Sequence, residues 1–168
     1  GDDKVRPKQL FALSLTYPII DSASDLANEI FNTITKKLLL PKGLRTLAPD
    51  EENYVGIYKG GVYERDTSYH QGITWPWLLG LYFDSFVNIV NAEKDEKKKA
   101  RLKKAYNKFI DEVEEIFENE FYYSDCVVGS ISELYDSEEP YIAKGSPAQA
   151  WSVAEVFRII FQGKDKLK

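Results

Sequence analysis

A single cysteine, a single histidine and no methionine stand among the 168 residues. One thiol closes no internal disulfide, which excludes a small secreted scaffold built on disulfides. One His and one Cys cannot complete a zinc set, and Asp136-Ser137-Glu138-Glu139 lacks the glycine of a calcium loop, so no metal and no other cofactor is expected. No apolar run approaches the roughly 20 residues of a membrane span, and no signal-peptide pattern opens the chain; a soluble, cytoplasmic protein with no membrane partner is the expectation. An excess of positive charge is missing too. Lys and Arg number 22 against 27 Asp and Glu, for a net charge of −5, which argues against a general nucleic-acid binder. The missing methionine, with Gly1-Asp2-Asp3 at the head, reads like a cloning remnant on an excised internal segment.

What is present is ordinary globular material, 43% hydrophobic and 29% charged, enough for one domain or one piece of a larger one. Helical periodicity dominates. From Asp21 to Leu40, Leu26, Ala27, Ile30, Phe31, Ile34 and Leu38 recur at helical spacing, with Asp21 or Ser22 placed to cap the start. A second helix is expected from near Trp75, with Pro76 in its first turn, burying residues such as Leu79, Phe83 and Phe86. A third runs from about Asp95 to Glu118. A fourth opens at Ser146-Pro147, turns Ala150, Val153, Ala154, Phe157 and Phe161 inward, and ends at Gly163. A short helix follows Pro7. Two stretches, Pro41 to Thr74 and Tyr122 to Gly145, lack that period, and no strand alternation is evident. The fold class expected is therefore all-α, helical hairpins joined by two long loops of the kind that carry function.

The first loop and the helix after it hold nine of the 23 aromatic residues, between Tyr54 and Phe86, interleaved with Arg65, Asp66, His70 and Gln71. Flat rings beside carboxylate, guanidinium and amide groups suit a sugar, whose C–H faces stack on the rings while charged groups hold its hydroxyls. The same rings also fit a plain core. The second loop holds Glu133, Asp136, Glu138 and Glu139. A carboxylate beside a sugar can take a proton from water, although such clusters are commonly solvated surface. Glu133 is set apart by Ile131, Leu134 and Tyr135 around it, which predict partial burial. The basic run Lys94–Lys104 reads as a solvated helix face, and Cys126 as a small buried hydrophobe.

Several strings in these loops resemble a known family. They are Gly43-Leu44-Arg45-Thr46-Leu47; Arg65-Asp66-Thr67-Ser68-Tyr69-His70-Gln71-Gly72 continuing to Trp75-Pro76-Trp77-Leu78-Leu79-Gly80; Ser132-Glu133-Leu134-Tyr135-Asp136; and Gln149-Ala150-Trp151-Ser152-Val153-Ala154-Glu155. Arg6-Pro7-Lys8-Gln9 matches more loosely. In this order they resemble the C-terminal amylo-α-1,6-glucosidase region of glycogen debranching enzymes. Lys8 replaces an Asn of the family pattern, and Ser137-Glu138-Glu139-Pro140 replaces a glycine-containing turn.

The resemblance implies that residues 1–168 form a single partial domain, the C-terminal portion of an (α/α)6 toroid. A toroid of twelve helices needs on the order of 400 residues. It implies a glycoside hydrolase acting on glycogen, limit dextrin or maltooligosaccharide, with the α-1,6-linked glucose at a branch point hydrolysed with inversion. Glu133 falls on the general base, and Ser132 and Tyr135 are near enough in sequence to help orient the water. Arg65, Asp66, His70, Trp75, Gln149 and Trp151 fall on pocket positions. The family's general acid, an Asp, belongs to an earlier segment, so the chain alone is expected to be inactive. With half a toroid missing, the faces Leu26/Ile30/Ile34 and Leu79/Phe83/Phe86 are expected to lack cover and to drive self-association. The alternatives are a non-catalytic glycan-binding helical module and a plain helical interaction domain.

Overall fold

A computed structural model describes residues 3–124 and 126–167. Its helices are α1 (Phe11–Ser14), entered through a 3-10 turn at Pro7–Leu10, α2 (Asp25–Lys37), α3 (Val62–Ser68), α4 (Leu78–Ala92), α5 (Glu96–Tyr123) and α6 (Ala150–Gly163). Between them lie five very short strands: β1 (Leu39–Leu40), β2 (Gly43–Arg45), β3 (Thr74–Trp75), β4 (Leu134–Tyr135) and β5 (Ala143–Lys144).

The strands overturn the all-α expectation. About 52% of the chain is helical, and the five strands pair in the order β1-β2-β3-β4-β5 into one antiparallel sheet. The chain is mixed α and β, not an all-α piece of a helical toroid. Leu44 faces Trp75, Thr74 faces Tyr135, and Leu134 faces Lys144. Strands of two or three residues are too short for a period-two pattern to register, which is why the sequence offers no sign of them. Both irregular stretches contribute to this sheet.

The core forms around α4. Leu79, Tyr82, Phe83, Phe86, Ile89 and Val90 are all buried on it. A helix apolar on nearly every side belongs at the centre of a helix layer. On one side Phe31 of α2 stacks on Tyr82 at 4.6 Å, while the Tyr82 hydroxyl meets Thr35 Oγ1 at 3.0 Å. On the other, Phe86 packs edge-on to Tyr106 of α5 at 5.4 Å, and Tyr106 donates to the Gly163 carbonyl at 2.8 Å, tying in α6. The faces expected to drive self-association are thus largely covered from within: Ile34, Leu79, Phe83 and Phe86 are buried, Ile30 is partly so, and Leu26 stays outside.

Helix starts differ from expectation in instructive ways. Ser24, not Asp21 or Ser22, caps α2, its Oγ accepting from the Ala27 N–H at 3.1 Å. α4 begins at Leu78 because Trp75 is committed to β3, and α6 begins at Ala150 with Gln149 as N-cap instead of at Ser146-Pro147. α6 also turns the other way. Ser152, Val156, Ile159 and Gly163 face inward, whereas Ala150, Ala154 and Phe161 are exposed, Phe161 to 73%. The helix has two apolar faces, and the one with small residues is the one that closes against α4 and α5. Phe157 and Phe161 instead form an outer shelf with Phe121. Cys126 is exposed, not buried.

α4 and α6 lie side by side in parallel register. Arg158 of α6 donates to both carboxylate oxygens of Asp84 on α4, at 2.8 and 2.9 Å, and to Glu155 at 2.6 Å. The same register brings the starts of the two helices together and stacks Trp77 on Trp151, centroids 4.8 Å apart.

Candidate active site

Apart from Arg65 and Asp66 on α3, the strings that carry the family pattern meet at the sheet and at the starts of α4 and α6. Glu133 directly precedes β4 and is half-buried, while Glu138 and Glu139 are exposed. Its buried neighbours Ile131, Leu134 and Tyr135 pull the backbone inward and leave the carboxylate at the rim. Both carboxylate oxygens are held. Tyr69 donates its phenol O–H to Oε1, and the Ser146 N–H donates to Oε2 at 2.9 Å. The Glu133 N–H in turn donates to the Ser146 carbonyl at 2.9 Å. Gly145, at φ +69°, is needed here, because a Cβ on it would lie 2.3 Å from Glu133 Oε2.

Tyr69 links the carboxylate to an aromatic cluster. Its ring stands edge-on to Trp75 at 4.7 Å, and the Trp75 indole N–H donates to the Tyr69 carbonyl at 3.2 Å. His70 stacks on Trp75 at 5.5 Å, and Trp151 meets Trp75 edge-on at 6.5 Å. Trp75 is 3% exposed and Trp151 48%, so Trp75 is a buried wall and Trp151 an open face. Burial, and then the Glu133 carboxylate, push the Tyr69 phenol well above its ordinary range, so it stays a proton donor. One layer away, a cavity of about 440 Å³ opens between His70, Trp75, Trp77, Phe11 and Lys8; Glu133 does not line it.

Arg6 anchors this region, donating to the carbonyls of His70 and Thr46 at 2.7 and 3.1 Å and to Gln71 Oε1 at 2.9 Å. His70 is exposed at its outer edge, and the partial desolvation of its stacked ring, with the Arg6 cation second, holds it below the usual imidazole range, so the ring is neutral at pH 7. The consequence for stability has a definite sign. Below about pH 6.5 the unfolded chain takes up a proton that the folded chain resists, so acid destabilises the fold through this residue. His70→Gln should therefore narrow the drop in melting temperature between pH 7 and pH 5, as read by calorimetry.

His70 and Trp151 both meet Trp75, and Tyr69 joins this cluster to Glu133, while Gln149 is the N-cap of α6, its N–H on the Ile131 carbonyl at 3.0 Å. Arg65 and Asp66 are not in contact with that group. Arg65 donates to the Gly60 carbonyl at 3.1 Å, and Asp66 is exposed on α3, whose only buried residue is Ser68. Tyr135, expected to help orient water, is turned away: its hydroxyl donates to the buried Glu120 at 2.9 Å, which also pairs with Lys42 at 2.6 Å. Asp136 accepts from the Tyr58 N–H at 2.8 Å and lies 3.8 Å from Lys144. Sequence reasoning gave no role to Tyr69, Gly145 or Glu120. Tyr69 stands next to His70 in the strongest string, yet nothing in its spacing points to a carboxylate so distant in sequence.

Residues 1–158 match the family described as amylo-alpha-1,6-glucosidase. The glycogen debranching enzyme of Saccharomyces cerevisiae is 27% identical over 167 residues, 91% of this chain and 10% of that protein. The chain thus spans about a tenth of the length of that curated relative.

Proposed function

The chain belongs to the amylo-alpha-1,6-glucosidase family, and from that premise we propose that it supplies the general base and part of the glucose pocket of a glycoside hydrolase that removes α-1,6-linked glucose from glycogen or limit dextrin. The observation that carries this reading is Glu133: a half-buried carboxylate, fixed at both oxygens, beside a cluster of indole, imidazole and phenol rings. In inverting hydrolysis a carboxylate takes a proton from water as that water attacks the anomeric carbon. A second carboxyl group on the opposite face protonates the departing oxygen, and the two stand roughly 6.5–9.5 Å apart. Glu133 suits the first role. For the second, Asp136 is occupied by Tyr58 and Lys144, and Asp66 lies out on α3. The family resemblance implies that the acid, an Asp, lies in an earlier segment, so these residues are read as one portion of a larger catalytic domain.

Two outcomes check the reading. The 168-residue chain should release no glucose from a limit dextrin. It should still bind maltooligosaccharide through Trp151, which stacks one face on Trp77 and remains half exposed, so Trp151→Ala should weaken binding about fivefold while Lys98→Ala on the basic face of α5 leaves it unchanged. Equal binding by parent and Trp151→Ala in isothermal titration would remove Trp151 from the pocket. Glu133→Gln in a complete debranching enzyme carrying this segment tests the base role itself.

A further inference from the structure

Among the described residues Tyr69 is the side chain that connects the aromatic cluster to Glu133 by a hydrogen bond, and it meets the carboxylate across a long stretch of intervening chain. We propose that Tyr69 is a positioning residue for Glu133, its phenol O–H fixing one carboxylate oxygen so that, with the Ser146 N–H on the other, the remaining lone pairs are aimed at the attacking water. The inference rests on Glu133 being the base. A glutamate side chain turns about three bonds, and a base displaced by even 1 Å loses much of its effect, so the carboxylate of a working base has to be held.

Tyr69 is built for that task. Its ring is boxed in by Trp75 edge-on, by His70 at 4.9 Å and by Tyr58 at 5.9 Å, and its own carbonyl is held by the Trp75 indole. The phenol therefore has little freedom to follow the carboxylate; the carboxylate settles on the phenol. Because burial keeps Tyr69 protonated, the donor does not switch off across the working pH range. The other titratable or charged groups around the pair are Tyr58 and His70, packed on the Tyr69 ring, Asp136 three residues along, and Lys144, which faces Asp136 from β5. None of these donates a hydrogen bond to Glu133 in the structure, and a phenylalanine at position 69 would leave their packing in place.

The test uses Tyr69→Phe, which keeps the ring and removes the hydroxyl. In the 168-residue chain carrying ¹³C-labelled glutamate, the Glu133 carboxyl signal should shift and broaden as the side chain loses the partner that fixes it. In a complete debranching enzyme containing the same segment, kcat on limit dextrin should fall on the order of 10–100-fold with KM within about twofold. An unchanged carboxyl signal and kcat beside an inactive Glu133→Gln enzyme would overturn the role of Tyr69 and leave the base reading standing. Near-normal turnover by Glu133→Gln would bring down the base reading, and the positioning role with it. The unmutated chain gives a check that needs no variant to fold: an H/D isotope shift at the Glu133 carboxyl carbon, with a slowly exchanging Tyr69 hydroxyl proton. Their absence overturns the proposal.

Discussion

Glu133→Gln in a complete debranching enzyme carrying this segment should cut turnover of a branched limit dextrin by about 10²–10⁴-fold, the usual share of a positioned general base. Sugar binding should remain within a few-fold of the parent. The amide keeps the size of the carboxylate and one acceptor oxygen, so the Tyr69 O–H still finds a partner. The other end becomes an NH2 facing the Ser146 N–H, donor against donor, and that local cost turns the side chain slightly without emptying the pocket. What is lost outright is basicity. A loss of activity with binding and melting temperature both retained separates chemistry from folding. Proton NMR of the unmutated enzyme adds stereochemistry: inversion releases β-glucose first. Near-normal turnover in Glu133→Gln, or α-glucose as the first product, would take the base role away from Glu133.

The largest effect on stability is expected at Gly43. Its φ is +149°, a conformation that side chains rarely adopt, and a Cβ there would fall 2.4 Å from the Trp75 carbonyl oxygen and 2.6 Å from its carbon. The obstacle is backbone, which cannot rotate aside as a side chain would. Gly43→Ala therefore adds strain at residue 43 to a forced separation of β2 from β3. The two together should cost about 3 kcal/mol, or roughly 6–12 °C in melting temperature for a chain of this size. Because Leu44 pairs with Trp75, the disturbance should reach the wall of the aromatic cluster and alter tryptophan fluorescence before global unfolding. A melting temperature within about 2 °C of the parent, with unchanged fluorescence, would contradict this.

How far the sequence could be read depended on how many residues each feature spreads over. The helices α2, α4 and α5 run for 13 to 28 residues, so their period stands out even where the ends shift by a turn. The strands offer no such length. The inward face of α6 was misread because both of its faces are apolar, and what settles the matter is that Ser152 and Gly163 are small enough for close approach, a property of the neighbours and not of the pattern. The partial burial of Glu133 was legible because the residues flanking it are strongly apolar. That Trp75 is a buried wall while Trp151 is an open face was not legible, since two indoles look alike until the sheet claims one of them. The Tyr69–Glu133 contact was beyond reach for the same reason: it joins two loops that only the paired strands bring together.

Those strand pairings also impose an order of events on the growing chain. Between Thr74 of β3 and its partner Tyr135 lie the whole of α4 and α5, so β4 can dock only after that helical hairpin has folded back. Closing such a loop brings a conformational penalty that early, local helix formation does not face, and contacts of this range form late. Amides of α4 should then exchange with deuterium only through complete unfolding, whereas those at the β3–β4 pairing exchange through a smaller opening. During synthesis Tyr69, His70 and Trp75 are all in the chain well before Glu133 is added. A ribosome paused anywhere ahead of residue 133 holds these rings without the carboxylate that Tyr69 meets in the folded chain.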